Sequence, residues 1–270
     1  EAEHTEDVEE KIRLFFEIGK FLQEQGDDTN QASQHYEQAL KFTHDYLPAA
    51  KPLADIYFRT EQWDKAETMM EVVVNGLDRN TDTKELCRQH YRLGYITEKL
   101  GKEEKALEHY RMSYELDATY LPALEGLGNA LLKTEKWDEA YRIYQTILIH
   151  HRNSLSDAEV AELHWQIGDV NYRMGEIDRA QASFKKALEI DGSHLASLQY
   201  LVKICEERES WEEAYDFGMQ MMDSLDESEL YEHYLRMAKL CREKLQDPFR
   251  AVDVLQGALK ARPDSLDVLS

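Results

Sequence analysis

Glycine and proline are scarce, 12 and 5 residues in a chain of 270. So few breakers leave room for long uninterrupted helices and little for the turn-rich chains that build sheets. Cysteine is scarcer still, and Cys87, Cys205 and Cys241 are odd in number and far apart. That argues against a disulfide framework or a zinc site and fits buried thiols in a reducing compartment, so a cytoplasmic location is expected. Positive charge is also short: 32 basic against 54 acidic residues give a net charge of −22. A surface this acidic repels phosphate backbones and anionic lipid, which argues against nucleic acid as a main partner. No apolar run approaches the roughly 18 residues needed to span a bilayer, so membrane insertion is not expected. The motifs G-x-S-x-G, G-x-G-x-x-G after a strand, H-E-x-x-H and the P-loop are all missing, so no catalytic residue, metal or cofactor is expected.

What the chain does have is a core's worth of apolar residues, 42%, arranged in a repeat. The segments "HYRLGYITEKLGKEEKALEHYRMSY" (90–114), "LEGLGNALLKTEKWDEAYRIYQTIL" (124–148) and "HWQIGDVNYRMGEIDRAQASFKKAL" (164–188) share one pattern. Each has an apolar-Gly pair, a polar turn, an Ala, an aromatic four residues later, and a small or apolar residue three further on. The anchors are Gly94/Ala106/Tyr110/Ser113, Gly128/Ala140/Tyr144/Ile147 and Gly168/Ala180/Phe184/Ala187. Weaker copies are Gly19/Ala32/Tyr36/Ala39, Ala54/Ala66/Met70/Val73, Val202/Ala214/Gly218/Met221 and Ala238/Ala251/Leu255/Ala258. A small residue at the Gly and Ala positions lets two helices approach closely, and the aromatic fills the space beside them.

This pattern resembles the tetratricopeptide repeat, a helix-turn-helix unit with the signature W-x2-L-G-x2-Y…A-x3-F…P. The resemblance implies an all-α, right-handed α-solenoid of seven units, starting near residues 12, 47, 87, 121, 161, 195 and 231. Residues 1–11 read as an acidic lead-in, 12–265 as a single solenoid, and 266–270 as the start of a truncated further repeat, hence a fragment of a longer protein. The intervals between starts are about 35, 40, 34, 40, 34 and 36 residues. The two longer units precede Asp82-x-x-Glu85 and Ser156-x-x-Glu159, which read as capping boxes that lengthen the next helix by about a turn. A larger period emerges: "YLPA" stands at 46–49 and 120–123, and Trp63, Trp137 and Trp211 are 74 residues apart. A two-repeat block has been duplicated. The three tryptophans, at the start of second helices, read as structural.

In the family, four first-helix positions line a concave groove that binds a partner. Carried onto this chain, they select Arg13, Phe16, Lys20, Lys51, Phe58, Arg88, Tyr91, Tyr95, Asn129, Trp165, Asp169 and Tyr172 as the candidate binding face. Over all seven units these positions hold seven basic and seven acidic residues, so the face is near neutral while the chain is at −22. Its six aromatics are rigid, large-area groups of the kind that anchor interfaces. Trp165 stands out, one residue past the signature tryptophan. Arg88 and Arg92 match the charges of the family's carboxylate clamp, but Phe16, Lys20 and Pro52 do not complete it. The resemblance implies a non-catalytic protein-protein interaction scaffold binding a peptide or helix. Alternatives are a regulatory or substrate-recruiting module of a larger enzyme, or a structural protein that self-associates end to end.

Overall fold

A computed structural model describes residues 7–26, 29–77 and 82–262. The truncated repeat expected at 266–270 lies outside the described residues, as does most of the lead-in. Fourteen α-helices and no strand occur among the described residues. In chain order they are α1 (Val8–Gln25), α2 (Thr29–Phe42), α3 (Leu47–Arg59), α4 (Trp63–Asn75), α5 (Thr83–Lys99), α6 (Glu103–Leu116) and α7 (Leu121–Lys133). There follow α8 (Trp137–His151), α9 (Asp157–Arg173), α10 (Ile177–Ile190), α11 (Leu195–Glu207), α12 (Trp211–Met221), α13 (Glu227–Glu243) and α14 (Pro248–Ala261). The all-α repeat architecture is therefore the one the pattern implies: seven first helices, each followed by a second. None of the described helices is long and apolar enough to cross a membrane.

The chain divides into two compact units, residues 1–143 and 144–270, the division falling within α8. In the first, α1/α2, α3/α4 and α5/α6 are antiparallel hairpins, and each stacks on the next through its second helix. In the second, α9/α10, α11/α12 and α13/α14 do the same. The repeat anchors form the cores. All 28 are buried except Leu255, which is half-buried. The small residue has the purpose the spacing implies. A Cβ on Gly94 would sit 2.8 Å from the ring of Tyr110, and one on Gly168 would overlap the ring of Phe184.

First helices alternate in length. The odd-numbered repeats have α1, α5, α9 and α13 at 18, 17, 17 and 17 residues, the even ones α3, α7 and α11 at 13 each. An early cap explains each long helix. Ser156 forms the full capping box, its hydroxyl taking the Glu159 amide while the Glu159 carboxylate takes the Ser156 amide at 2.7 Å. The box expected at Asp82 is only half made. Asp82 accepts from the Lys84 amide at 3.4 Å, but Glu85 accepts from the side chain of Gln89 instead. Two further caps were not anticipated. Asp226 takes the amides of Ser228 and Glu229, both at 2.9 Å, and starts α13 four residues before 231. Asp7 starts α1 at Val8, so residues 8–11 are helix rather than lead-in.

The turn inside each repeat requires one residue in the left-handed region, where a side chain is strained. Glycine fills it at Gly26, Gly101 and Gly175, but Glu61, Glu135, Glu209 and Gln246 sit there with φ of 55°, 57°, 56° and 55°. After Glu61, Gly101, Glu135, Gly175, Glu209 and Gln246 the next amide closes the turn, Lys136 donating to the Leu131 carbonyl at 2.9 Å. Replacing Glu135 by Gly should therefore raise stability by about 0.5–1 kcal/mol, since it relieves left-handed strain at a cost in unfolded-state entropy. Urea titration should show a higher midpoint with an unchanged slope; a lower midpoint would mean that Glu135 contributes contacts worth more than the strain.

Histidines occupy the first helices of three repeats, at His90, His164 and His233, the first two half-buried and the third buried. His90 on α5 stacks on His109 of α6 with ring centroids 5.6 Å apart, in the place where Phe15 of α1 stacks on His35 of α2. Burial holds both His90 and His109 below the ordinary histidine value, and His109 further depresses His90. Glu67 and Glu71 from α4 and Glu108 from α6 pull His109 the other way, while Lys105 adds to the depression. Burial wins. Below pH 6.5 the unfolded chain then binds protons that the folded one does not, so stability is full above that value and is lost as pH falls through it. His90→Phe, which copies the α1/α2 arrangement, should flatten this slope. Thermal melts from pH 7.5 to pH ~5 test it; an unchanged slope would show that the pair does not titrate with folding.

Candidate functional site

The candidate face is built on the first helices, whose second-helix-facing stripe is buried by the anchors. That leaves a neighbouring stripe to meet the next repeat's first helix or solvent. In the first unit, Arg13, Lys20, Lys51, Arg88 and Asn129 are exposed, and Phe16, Phe58, Tyr91 and Tyr95 are half-buried. Lys20 lies 4.0 Å from Glu24 one turn on. Arg13, Lys51 and Arg88 make no ion pair among the described residues; Arg88 donates only to the Lys84 carbonyl, at 3.2 Å.

The aromatics are gathered into clusters that join consecutive repeats. Phe58 meets Trp63 and Tyr95, each at 5.7 Å between centroids. Tyr91 packs edge-on to Tyr120 at 5.6 Å and reaches Tyr95 and Tyr110. Phe16 likewise bridges Tyr36 and Tyr46. Charged groups stitch the same line. Arg92 binds Asp55 at 2.6 Å and lies over the Phe58 ring, and Lys133 reaches Glu98 at 2.6 Å. Burial raises the Glu98 carboxyl, but hydrogen bonds from Lys133 and Tyr110 outweigh it and hold the group below its usual range.

In the second unit the expected binding residues are more deeply engaged. Trp165 is half-buried against the cluster of Ala180, Phe184, Leu201 and Ile204, with His194 at 6.5 Å. Its indole nitrogen is buried and makes no hydrogen bond among the described residues. Asp169, expected on the open face, is only 5% exposed. It accepts from the Tyr200 hydroxyl at 2.6 Å and binds Arg173 at 2.8 Å. The reason is that Tyr200 stacks on Phe184 and so covers the carboxylate from the next repeat. Tyr172 packs edge-on to Tyr200, donates to Glu207 at 3.0 Å and lies under Lys203.

The register thus names a first-helix stripe but not the groups that cover it. Tyr120, Lys133, Tyr200 and Glu207 lie against residues of that stripe and were not singled out, and Arg92, noted only as a clamp charge, pairs with Asp55 instead. Their signal is sequence separation: Asp55 to Arg92 is 37 residues, Glu98 to Lys133 is 35 and Tyr172 to Glu207 is 35, one repeat in each case. Among the described residues no group of three or more histidine, cysteine, aspartate and glutamate side chains is placed to hold a metal ion. Chemically, the face offers aromatic edges and unpaired cations.

Comparison with known proteins accords with this geometry. Residues 118–193 and 90–120 match tetratricopeptide repeat family models. The Protein CTR9 homolog of Arabidopsis thaliana is 23% identical over 184 residues, 66% of this chain and 16% of its own length. Superkiller protein 3 of Schizosaccharomyces pombe is 20% identical over 202 residues, 74% of this chain and 14% of its own. The chain therefore spans a small part of the curated relatives it matches. Among solved structures, the C-terminal part of a TPR repeat-containing protein from Cytophaga hutchinsonii superposes with a TM-score of 0.65 over 94% of this chain and 98% of that one, at 14% identity. YrrB, described as a TPR protein with an unusual peptide-binding site, gives 0.56 over 69% and 89%, at 19% identity. These likenesses show the fold.

Proposed function

Since the chain is a tetratricopeptide-repeat protein, we propose that it is a non-catalytic scaffold that holds an extended peptide or a helix of another protein against the first-helix face. One observation carries the reading. In a chain of −22, Arg13, Lys51 and Arg88 are exposed on that face with no ion pair among the described residues. By contrast Arg92, on the same helix as Arg88, and Lys133 at the end of α7 are paired across repeats. Unpaired cations beside half-buried aromatics suit a partner segment with carboxylates and apolar side chains. Phe16, Phe58, Tyr91 and Tyr95 supply apolar contact from the same side. Trp165 and Tyr172 shape the face in the second unit, while Asp169 fastens it from within. The buried free thiols of Cys87, Cys205 and Cys241 support a reducing, cytoplasmic setting.

A second reading places the chain as a recruiting module of a larger protein. It draws on the 16% and 14% shares of the two longer relatives. Both readings use the same face.

The test is a triple variant, Arg13→Glu, Lys51→Glu and Arg88→Glu, compared with wild type in quantitative affinity capture from cell extract. All three positions are exposed, so the melting curve should not move. Proteins captured by the wild type should fall at least about tenfold in yield, a loss of about 1.4 kcal/mol. The same proteins at the same yield would overturn the reading.

A further inference from the structure

Between α2 and α4 there is a crevice of about 340 Å³. Leu40, Leu53 and Met69 form an apolar floor with the flank of Tyr57, and Glu37, Lys41, His44, Lys65 and Thr68 stand around the rim. Most of the rim is already engaged. Glu37 accepts from the Tyr57 hydroxyl and lies 3.8 Å from Lys65, and Thr68 donates to the Asp64 carbonyl at 3.1 Å. Lys41 and His44 remain, exposed and without an ion pair among the described residues.

The next such gap in this unit is bridged. Between α4 and α6, Lys102 and Lys105 both bind Glu67, and Lys105 reaches Glu71 at 3.7 Å. The sequence explains why the first gap stays open. Residue 33, which follows the Ala32 anchor, is serine where Glu67 follows Ala66. Gln62 stands four residues before Ala66, where Lys102 stands four before Ala106. Both ends of the Lys102–Glu67 bridge are thus missing from the first gap, and its floor is left accessible beneath a rim whose only carboxylate is occupied.

We propose that this crevice binds a helical segment of a partner protein that inserts one or two leucine-sized side chains, flanked by aspartate or glutamate. The floor supplies apolar burial, the volume sits at the small end of ligand pockets, and Lys41 and His44 match the flanking carboxylates. The site is separate from the first-helix face and does not depend on that reading.

The experiment uses the intact chain with its methionine methyl groups labelled with carbon-13, Met69→Leu serving to assign the Met69 resonance. The probe is acetyl-Glu-Glu-Leu-Leu-Glu-Asp-amide, with a counterpart in which lysine replaces each acidic residue. The acidic probe should move the Met69 methyl saturably. Lys41→Glu with His44→Glu, both at exposed positions, should weaken it at least about fivefold, as expected for like charges brought together. The Arg13/Lys51/Arg88 variant should bind it as wild type does. An unmoved Met69 methyl, equal binding of the lysine counterpart, or loss of binding in the first-helix variant would each overturn the proposal.

Discussion

Tyr110→Ala should lower the stability of the first unit by about 3–5 kcal/mol, the range for removing a large buried aromatic. Tyr110 is 1% exposed and stands where three helices meet. Its ring fills the space left by two glycines: a Cβ on Gly94 of α5 would approach it to 2.8 Å, one on Gly126 of α7 to 2.5 Å. On the same side it touches Tyr91 at 6.1 Å between centroids, and its hydroxyl donates to Glu98 at 2.8 Å. No side chain nearby can collapse into the hole, because the backbones on both sides are already as close as the helices allow. Tyr110→Phe isolates the polar part: it keeps the ring, leaves Glu98 bonded to Lys133, and should cost about 1–2 kcal/mol. Urea unfolding measures both. Hydrogen exchange should show the alanine variant opening first in α5, α6 and α7; a loss below about 1 kcal/mol would mean that the repeats hold together without this ring.

Asp169→Ala should cost about 2–3 kcal/mol, in line with losing charge-assisted hydrogen bonds from a buried carboxylate. The variant leaves the Tyr200 hydroxyl and the Arg173 guanidinium without their shared partner. Burial pushes the Tyr200 hydroxyl up first, and the carboxylate beside it adds to the rise, to about 12. In Asp169→Ala the Tyr200 titration should therefore move down toward the ordinary value, readable by ultraviolet absorbance. If Asp169 instead met a partner from an open face, its replacement would alter binding and leave both the urea midpoint and the tyrosine titration in place.

These two residues show what was legible in the sequence. Tyr110 was readable because its partners are local in pattern: a glycine 16 residues earlier, an alanine four earlier, recurring along the chain. A repeat makes such positions visible without knowing any contact. Asp169 was placed on the first-helix stripe beside the anchors, yet its burial depends on Tyr200, which lies in the next repeat and belongs to no anchor position. The same holds for Trp165. Register fixes the direction in which a first-helix side chain leaves its helix, but which groups cover it is decided by residues some 30–37 positions away. Helix starts divide in the same way. Ser156 with Glu159 was readable as a box, while Asp7 with Glu10 and Asp226 with Glu229 carry the same spacing but follow no lengthened interval between repeats, and so were passed over.

The alternation of long and short first helices, matched by glycine and glutamate in the turns of the first six repeats, bears on how this chain can change length. A single hairpin removed or inserted would set two long first helices, or two short ones, side by side. A four-helix block of 74 residues, the spacing of Trp63, Trp137 and Trp211, would keep the alternation. The unit that can be added or removed without setting like first helices side by side is therefore the pair of hairpins.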